Sequence, residues 1–544
     1  MEEDFESLDN LVIKDKEYRM KKIKGRLKVI LIIFVILLIL AVIIYIIIRI
    51  ITKNYGKITC VYRTYTDEET IDLINIFDED INFILSIDEE EEKFNNKITH
   101  TFKKPGNHTV TFIFKTKLTS LENFFNKKNS LIAADLSELE ADEIKSLKRL
   151  FFKCKNLIKV NLAFKESGNI EDMMDLFKEC SSLKSIDLNL DISKVIDMRG
   201  LFQFCSSLND IKFHNFNTKS LKYIDFMFDG CSNLTSIDLS KFYFENVEDM
   251  EYMFQGCIHL EEIVFPESKT NKLNFMDGLF KDCHKIKNLN LNSIKTDNAI
   301  EMSYIFNGCI ELEQLDLSKF NTQNATSMVG MFKNCKSLKN IDITNFDVNK
   351  VNSLESFFEG CSSLSEIDLS FIESSLLEQI SYLFANCHNL TNISLPKKLY
   401  GIRFANATFE NCTNLKSINL TNFNKNDNFV GISRMFKNCI SLKEIKFPII
   451  EAELLLNASE MFYGCNNLEK IDLGNFITEE IKYMERMFYN CQTLNYLDIS
   501  KFHTNNFTNS EEIFFNVNSS IELIYVPEYL DEDFIKAIND LKKN

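Results

Sequence analysis

The chain lacks the short motifs that usually betray an enzyme. Its 544 residues contain no H-E-x-x-H, no glycine-rich phosphate loop and no nucleophile elbow. Catalysis has no visible seat, and no cofactor is expected. Seven histidines are scattered; His284 and His388 each directly follow a cysteine, but no zinc-ligand spacing results, so no metal is expected either. Fifteen cysteines occur without the paired spacings of a disulfide framework. An excess of positive charge is also missing. The formal net charge is −17, and residues 54–544 carry 52 basic against 72 acidic side chains, which argues against nucleic acid as a partner.

What is present is a repeat. Fourteen cysteines, from Cys154 through 180, 205, 231, 257, 283, 309, 335, 361, 387, 412, 439 and 465 to Cys491, lie about 26 residues apart. A phenylalanine stands three positions before each, and a leucine three positions after each except at Ile286. Such an array adds units that contact only their neighbours, so length here counts repeats rather than domains. Lys128 and Val517 take the cysteine place in two degenerate units, at residues 124 onward and after Ile513 and Phe514. They are expected to cap a solenoid over residues 124–524, with residues 525–544 forming a C-terminal capping helix.

Val29 to Ile48 is an unbroken apolar run of 20 residues, long enough as a helix to span roughly 30 Å of hydrocarbon. It lacks the small-residue cleavage site of a signal peptide and is read as an uncleaved transmembrane anchor. Lys14, Lys16, Arg19, Lys21, Lys22, Lys24, Arg26 and Lys28 precede it, against Arg49, Lys53, Lys57 and Arg63 after it. The positive-inside rule then makes residues 1–28 a cytoplasmic tail and places almost everything else outside the cell. The same basic cluster suits anionic lipid headgroups, although its topogenic role explains it fully.

Residues 56–117 alternate in short β-rich segments separated by polar turns, which predicts a small β-sandwich. Thr99 to Thr111, with Pro105 and Gly106 at its turn, resembles the last hairpin of PKD-type immunoglobulin-like domains. The region has no tryptophan, unlike that family. Cys60 lies outside the array without a local partner.

Within each repeat, apolar residues fall ten, seven, four and three positions before the cysteine, as at Val247, Met250, Met253 and Phe254 before Cys257. This is helical spacing. After the cysteine, Leu312, Leu315 and Leu317 follow the L-x-x-L-x-L pattern of a leucine-rich-repeat strand. Each unit therefore reads as strand, turn, helix. The expected fold is an α/β solenoid with a parallel sheet on its concave face and helices on its convex face. The phrase seen nearly whole at Met227 to Phe242 and Ile305 to Thr322 resembles the BspA-like leucine-rich repeat proteins of bacterial and protist surfaces. The likeness covers about 400 residues. It implies an extracellular solenoid used for attachment to host or matrix proteins or to other cells, without a specific ligand and without catalytic residues.

Three sets of residues stand out. One thiol per repeat is read as a small buried core group. The residue after the strand isoleucine or leucine is aspartate at Asp135, Asp187, Asp238, Asp316, Asp342, Asp368, Asp472 and Asp498. Strand alternation turns these carboxylates to the concave face, where they either bond the following turn or meet a cation or basic ligand. Asp187, Asp238, Asp316, Asp342, Asp368, Asp472 and Asp498 are accordingly the candidate ligand-binding residues. Candidate glycosylation sites are Asn107, Asn233, Asn324, Asn389, Asn457 and Asn506, which matter only in a eukaryotic secretory pathway. The combined expectation is a single-pass cell-surface protein binding a protein or glycoprotein ligand in adhesion or recognition; the alternative is a structural coat component that self-associates.

Overall fold

The structure is a computed structural model that describes residues 2–543 apart from 76–80, 89, 93–98, 165–166, 215–216, 397, 400, 422–428, 448–449 and 505–510. Its first element is one long helix, α1 (Glu2–Thr52). The apolar part of α1 packs against no other part of the chain. By length and composition it can cross a bilayer, a test that a signal sequence also passes.

Six strands follow: β1 (Lys57–Thr64), β2 (Glu69–Asp72), β3 (Phe83–Ile87), β4 (Glu90–Glu92), β5 (Thr99–Phe102) and β6 (Gly106–Phe114). The first two strands of the array are β7 (Leu131–Asp135) and β8 (Lys159–Asn161). The main sheet has the order β4-β3-β6-β1-β7-β8, and β2 and β5 form a separate antiparallel pair. Strand β1 lies antiparallel to both β6 and β7, with Thr59 opposite Thr111 and Asp135. Strands of residues 56–117, expected to form a small β-sandwich, thus share a sheet with the first strands of the array. The alternating strands find a partner in the array itself, and they cover the edge of β7 that would otherwise offer unpaired backbone groups. Cys60 is buried in this junction.

From there the chain winds through fourteen cysteine-bearing coils and one atypical coil at each end. No helix occurs in them: among the described residues the only α-helix besides α1 is α2 (Glu532–Leu541). The convex-face helices expected from the apolar spacing are therefore absent, and the backbone shows why. In all sixteen coils the residues five and one before the cysteine place have positive φ, as at Arg149 (54°) and Lys153 (61°), Tyr252 (51°) and Gly256 (69°), or Gly330 (58°) and Asn334 (60°). A left-handed residue every fourth position cannot continue an α-helix. It instead produces consecutive tight turns that still bury the residues seven, four and three before the cysteine.

The hydrogen bonds of this turn column alternate in direction. Leu150, Phe152 and Cys154 donate their N–H groups three residues back, to Leu147, Arg149 and Phe151 at 3.0–3.2 Å. Leu147, Arg149, Phe151 and Lys153 donate to the next coil, at Asp172, Met174, Leu176 and Lys178, over 2.8–2.9 Å. The column persists where the strands do not. No strand is formed between Val264 and Glu366, yet Gly278, Phe280 and Asp282 still donate to Ser303, Ile305 and Asn307 at 2.7–2.8 Å. The single long sheet expected from the repeat is thus a set of short parallel pairs such as Glu366–Asp368 with Asn392–Ser394, and the turns carry the continuous ladder.

The core repeats the same economy. The rings of Phe125, Phe151, Phe177 and their equivalents to Phe514 stack in fifteen consecutive pairs, with centroids 5.4–5.9 Å apart and planes within 14°. Offset stacking of this kind lies inside the favourable range for aromatic pairs, about 4.5–7 Å. All fifteen cysteines are free and buried. Each array thiol donates to the carbonyl of the phenylalanine one coil earlier, from Cys154 to Phe125 at 2.9 Å through Cys309 to Phe280 at 3.2 Å to Cys491 to Phe462 at 3.2 Å. Burial pushes the thiol pKa up to about 12 at Cys154 and Cys465. They are neutral structural groups rather than reactive thiolates.

Both ends of the phenylalanine column are closed. Phe112 and Phe124 meet Phe125 at 6.4 and 5.0 Å in edge-on contacts. At the far end Phe534 of α2 meets Phe514 edge-on at 5.8 Å, and Ile538 and Leu541 are buried with it. Asp531 caps α2 by accepting the Phe534 N–H at 2.7 Å.

Candidate functional site: the exposed strand face

Many strand segments of the array present one buried residue between two exposed ones. Glu366, Ile367 and Asp368 show the pattern, as do Ser236, Ile237 and Asp238. Alternation alone puts the aspartates on the solvent side. Asp187, Asp238, Asp316, Asp342, Asp368 and Asp472 are exposed, and Asp498 is half-buried.

Most of these carboxylates also hold the turn that follows. The N–H two residues on donates to Oδ1 of Asp135, Asp238, Asp316, Asp342, Asp368, Asp472 and Asp498, from Ser137, Ser240, Ser318, Thr344, Ser370, Gly474 and Ser500 respectively, over 2.8–3.1 Å. The backbone N–H and hydroxyl of Ser318 hold the Asp316 carboxyl below its ordinary pKa range, and those of Thr344 do the same for Asp342. Hydroxyl and N–H of Ser240 and Ser370 lower Asp238 and Asp368 likewise. Asp187 differs, because its strand runs on to Asn189; its Oδ1 lies 3.0 Å from Nε2 of His214 on the next coil.

At Asp342 both turn bonds, from the N–H and the hydroxyl of Thr344, fall on Oδ1, which leaves Oδ2 without a turn donor. Asp342, Glu366 and Asp368, with Asn340, Thr344 and Asn392, surround an open concavity of about 440 Å³ on this face. The arrangement supplies acceptors in a row, suited to cationic or hydrogen-bond-donating partners.

Sequence reasoning missed a second acidic group, on the turn column. Asp172, Asp197, Asp249 and Glu301 stand eight residues before their cysteines, and Asp225, Glu251 and Asp277 six before. The guanidinium of Arg199 pairs with Asp197, its Nη2 2.5 Å from Oδ2. Burial, then the neighbouring Asp249, pushes Asp225 up to about 7; burial, then Asp249 and Asp277, pushes Glu251 up to about 7. Burial likewise raises Asp277 to about 6. The fixed offset from each cysteine was the signal available in the sequence. Among the described residues no group of three or more His, Cys, Asp or Glu side chains is arranged to hold a metal ion.

Of the candidate sequons, Asn107, Asn233 and Asn389 are exposed, while Asn324 and Asn457 are half-buried. Asn324 donates its amide to the Asp297 carbonyl at 2.8 Å, and Asn457 accepts the Ser459 N–H at 2.8 Å. Asn506 lies outside the described residues.

Among solved structures the chain is similar to a leucine-rich repeat protein from Bacteroides ovatus, at 20% identity over 71% of this chain and 76% of that one, with a TM-score of 0.35. It is similar to a leucine-rich repeat protein from Eubacterium ventriosum at 15% identity, over 68% and 88% of the two chains, with a TM-score of 0.31. No curated protein sequence matches significantly. A family model described as Mycoplasma protein of unknown function, DUF285, matches residues 92–188, 171–273, 274–395 and 403–524. These matches run through nearly the whole β-solenoid, and the chain belongs to that DUF285 repeat family.

Proposed function

We propose that the protein is a non-enzymatic recognition scaffold of the cell surface, held in the membrane by α1 with its amino terminus in the cytoplasm, and that it binds a protein or glycoprotein ligand in adhesion. One observation carries the reading: coil after coil presents exposed, already oriented carboxylates on the same flank, with Asp316, Asp342 and Asp368 on three consecutive coils. A rigid, repeating surface loses little conformational freedom on binding, which favours recognition. In a eukaryotic secretory pathway, Asn107, Asn233 and Asn389 are the sequons best placed for a glycan.

The test uses the chain from Lys57 onward, since α1 packs on nothing that would be lost. This soluble form should remain monomeric and bind cells or matrix protein, and Asp316, Asp342 and Asp368 changed together to Asn should weaken that binding. Self-association at modest concentration, without binding to cells or matrix, would support the coat function instead and overturn the proposal.

A further inference from the structure

The amino-terminal coil departs from the array at the one position where the others agree. Lys128 occupies the cysteine place, and only 8% of its surface is exposed. Among the described residues its ammonium group makes no hydrogen bond or ion pair. The side chain lines a polar cavity of about 550 Å³ between this coil and β2, together with Ile71, Asp72, Asn75, Asn126 and Ser130, with Lys127 at its exposed rim.

The asparagines show which groups remain available. Asn75 commits its amide to the carbonyls of Asn123 and Asn126, at 2.9 and 3.1 Å, and Asn126 commits its own to Asn123 Oδ1 at 2.9 Å. Asn126 Oδ1 is buried with no donor to satisfy it. Asp72 forms no side-chain hydrogen bond or ion pair among the described residues. The cavity therefore holds a buried cation and a buried, unsatisfied acceptor, with the exposed carboxylate of Asp72 at its mouth. A buried polar group without a partner is destabilising, more so when charged, so a ligand that satisfies Lys128 and Asn126 Oδ1 recovers that cost. Burial lowers the Lys128 pKa, as expected of an ammonium without a bonded counter-ion, while the charge of Asp72 acts in the opposite direction.

We propose that this cavity binds a small zwitterion of the α-amino-acid type, its carboxylate on Lys128 and its ammonium between Asp72 and Asn126 Oδ1. A simple anion would meet Asp72 and leave Asn126 unsatisfied. A simple cation would meet Lys128. A neutral polyol would leave the ammonium uncompensated. The dipolar ligand alone matches all three, and the volume accommodates it.

The experiment is a thermal-shift and calorimetric screen of the full chain in detergent micelles against the twenty common L-amino acids, acetate and methylammonium at millimolar concentration. At least one amino acid should bind and raise the melting temperature, whereas acetate and methylammonium should not. Lys128→Cys installs the residue that every cysteine-bearing coil already has, and should weaken amino-acid binding at least tenfold; Lys128→Met should do the same if the cysteine variant fails to fold. Asp72→Asn should shift preference from the amino acid toward acetate. Failure of every amino acid to bind, undiminished binding in both Lys128 variants, or acetate binding as tightly as the amino acid to the unaltered chain would overturn the proposal.

Discussion

Substituting alanine for Gly256 has opposite consequences for a helical column and for the turn column described above. Glycine in a helix interior costs roughly 0.5–1 kcal/mol relative to alanine, so a helix would be stabilised by Gly256→Ala. Gly256 instead has φ +69°, and a Cβ there would touch nothing closer than 3.5 Å. Only the left-handed backbone opposes it, which sets the cost at roughly 1–2 kcal/mol. Gly278 adds a collision, because at φ +57° its Cβ would lie 2.4 Å from two ring carbons of Tyr252. Gly278→Ala should therefore lose the same 1–2 kcal/mol and roughly 1–3 more for overpacking. Removing the ring should recover that second part, so Gly278→Ala and Tyr252→Ala should couple favourably by at least about 1 kcal/mol in a double-mutant cycle. Urea unfolding of the full chain in micelles, monitored by tyrosine absorbance, provides the assay. A higher midpoint for Gly256→Ala, or equal losses at Gly256 and Gly278, would refute the reasoning.

Three further outcomes follow from the same geometry. Iodoacetamide should label none of the fifteen cysteines in the folded chain at pH 8 and all of them in 6 M guanidinium chloride, as read by mass spectrometry; fast native labelling of array thiols would contradict the buried column. Asp316→Asn, Asp342→Asn and Asp368→Asn together should cost less than about 1 kcal/mol per site, because an asparagine oxygen still accepts the turn N–H, and a melting-temperature loss as large as the binding loss would assign these residues to the turns alone. Asp225, Glu251 and Asp277 have folded pKa values of about 7, 7 and 6, above those of unfolded carboxylates. Their contribution to stability is fully present below pH 4 and is lost as pH rises through 6 to 7. The Asp225→Asn/Glu251→Gln variant should thus gain a few degrees of melting temperature at pH 8, a smaller amount at pH 5 and nothing below pH 4, and a gain that grows as pH falls would reverse the sign.

The inward-facing residues were legible because register in a stacked array is set by burial. Phe254, Cys257 and Leu260, read from spacing alone, are all fully buried. The helix was misread because two successive left-handed turns bury residues seven, four and three before the cysteine, as a helix would. The corrective signal was Gly or Asn immediately before the cysteine in eleven of sixteen coils, as at Gly230, Asn334 and Asn438. Those are the residues that tolerate positive φ, and they are poor choices for a helix interior. The strands of residues 56–117 were visible as alternation, but their pairing was not. β1 joins β7 across some 70 residues of sequence, and nothing local in Lys57–Thr64 identifies that partner. The aspartates are legible from their place after the strand, whereas Lys128 shows in the sequence only as a lapse in the repeat.

The central claim is that the array is a β-solenoid of hydrogen-bonded turns around stacked phenylalanines. Far-ultraviolet circular dichroism of the chain from Lys57 tests it most directly. With α2 as the only α-helix among its described residues, this form should show almost no helical minimum at 222 nm. A spectrum corresponding to a helical turn or more in each of the sixteen coils would contradict it.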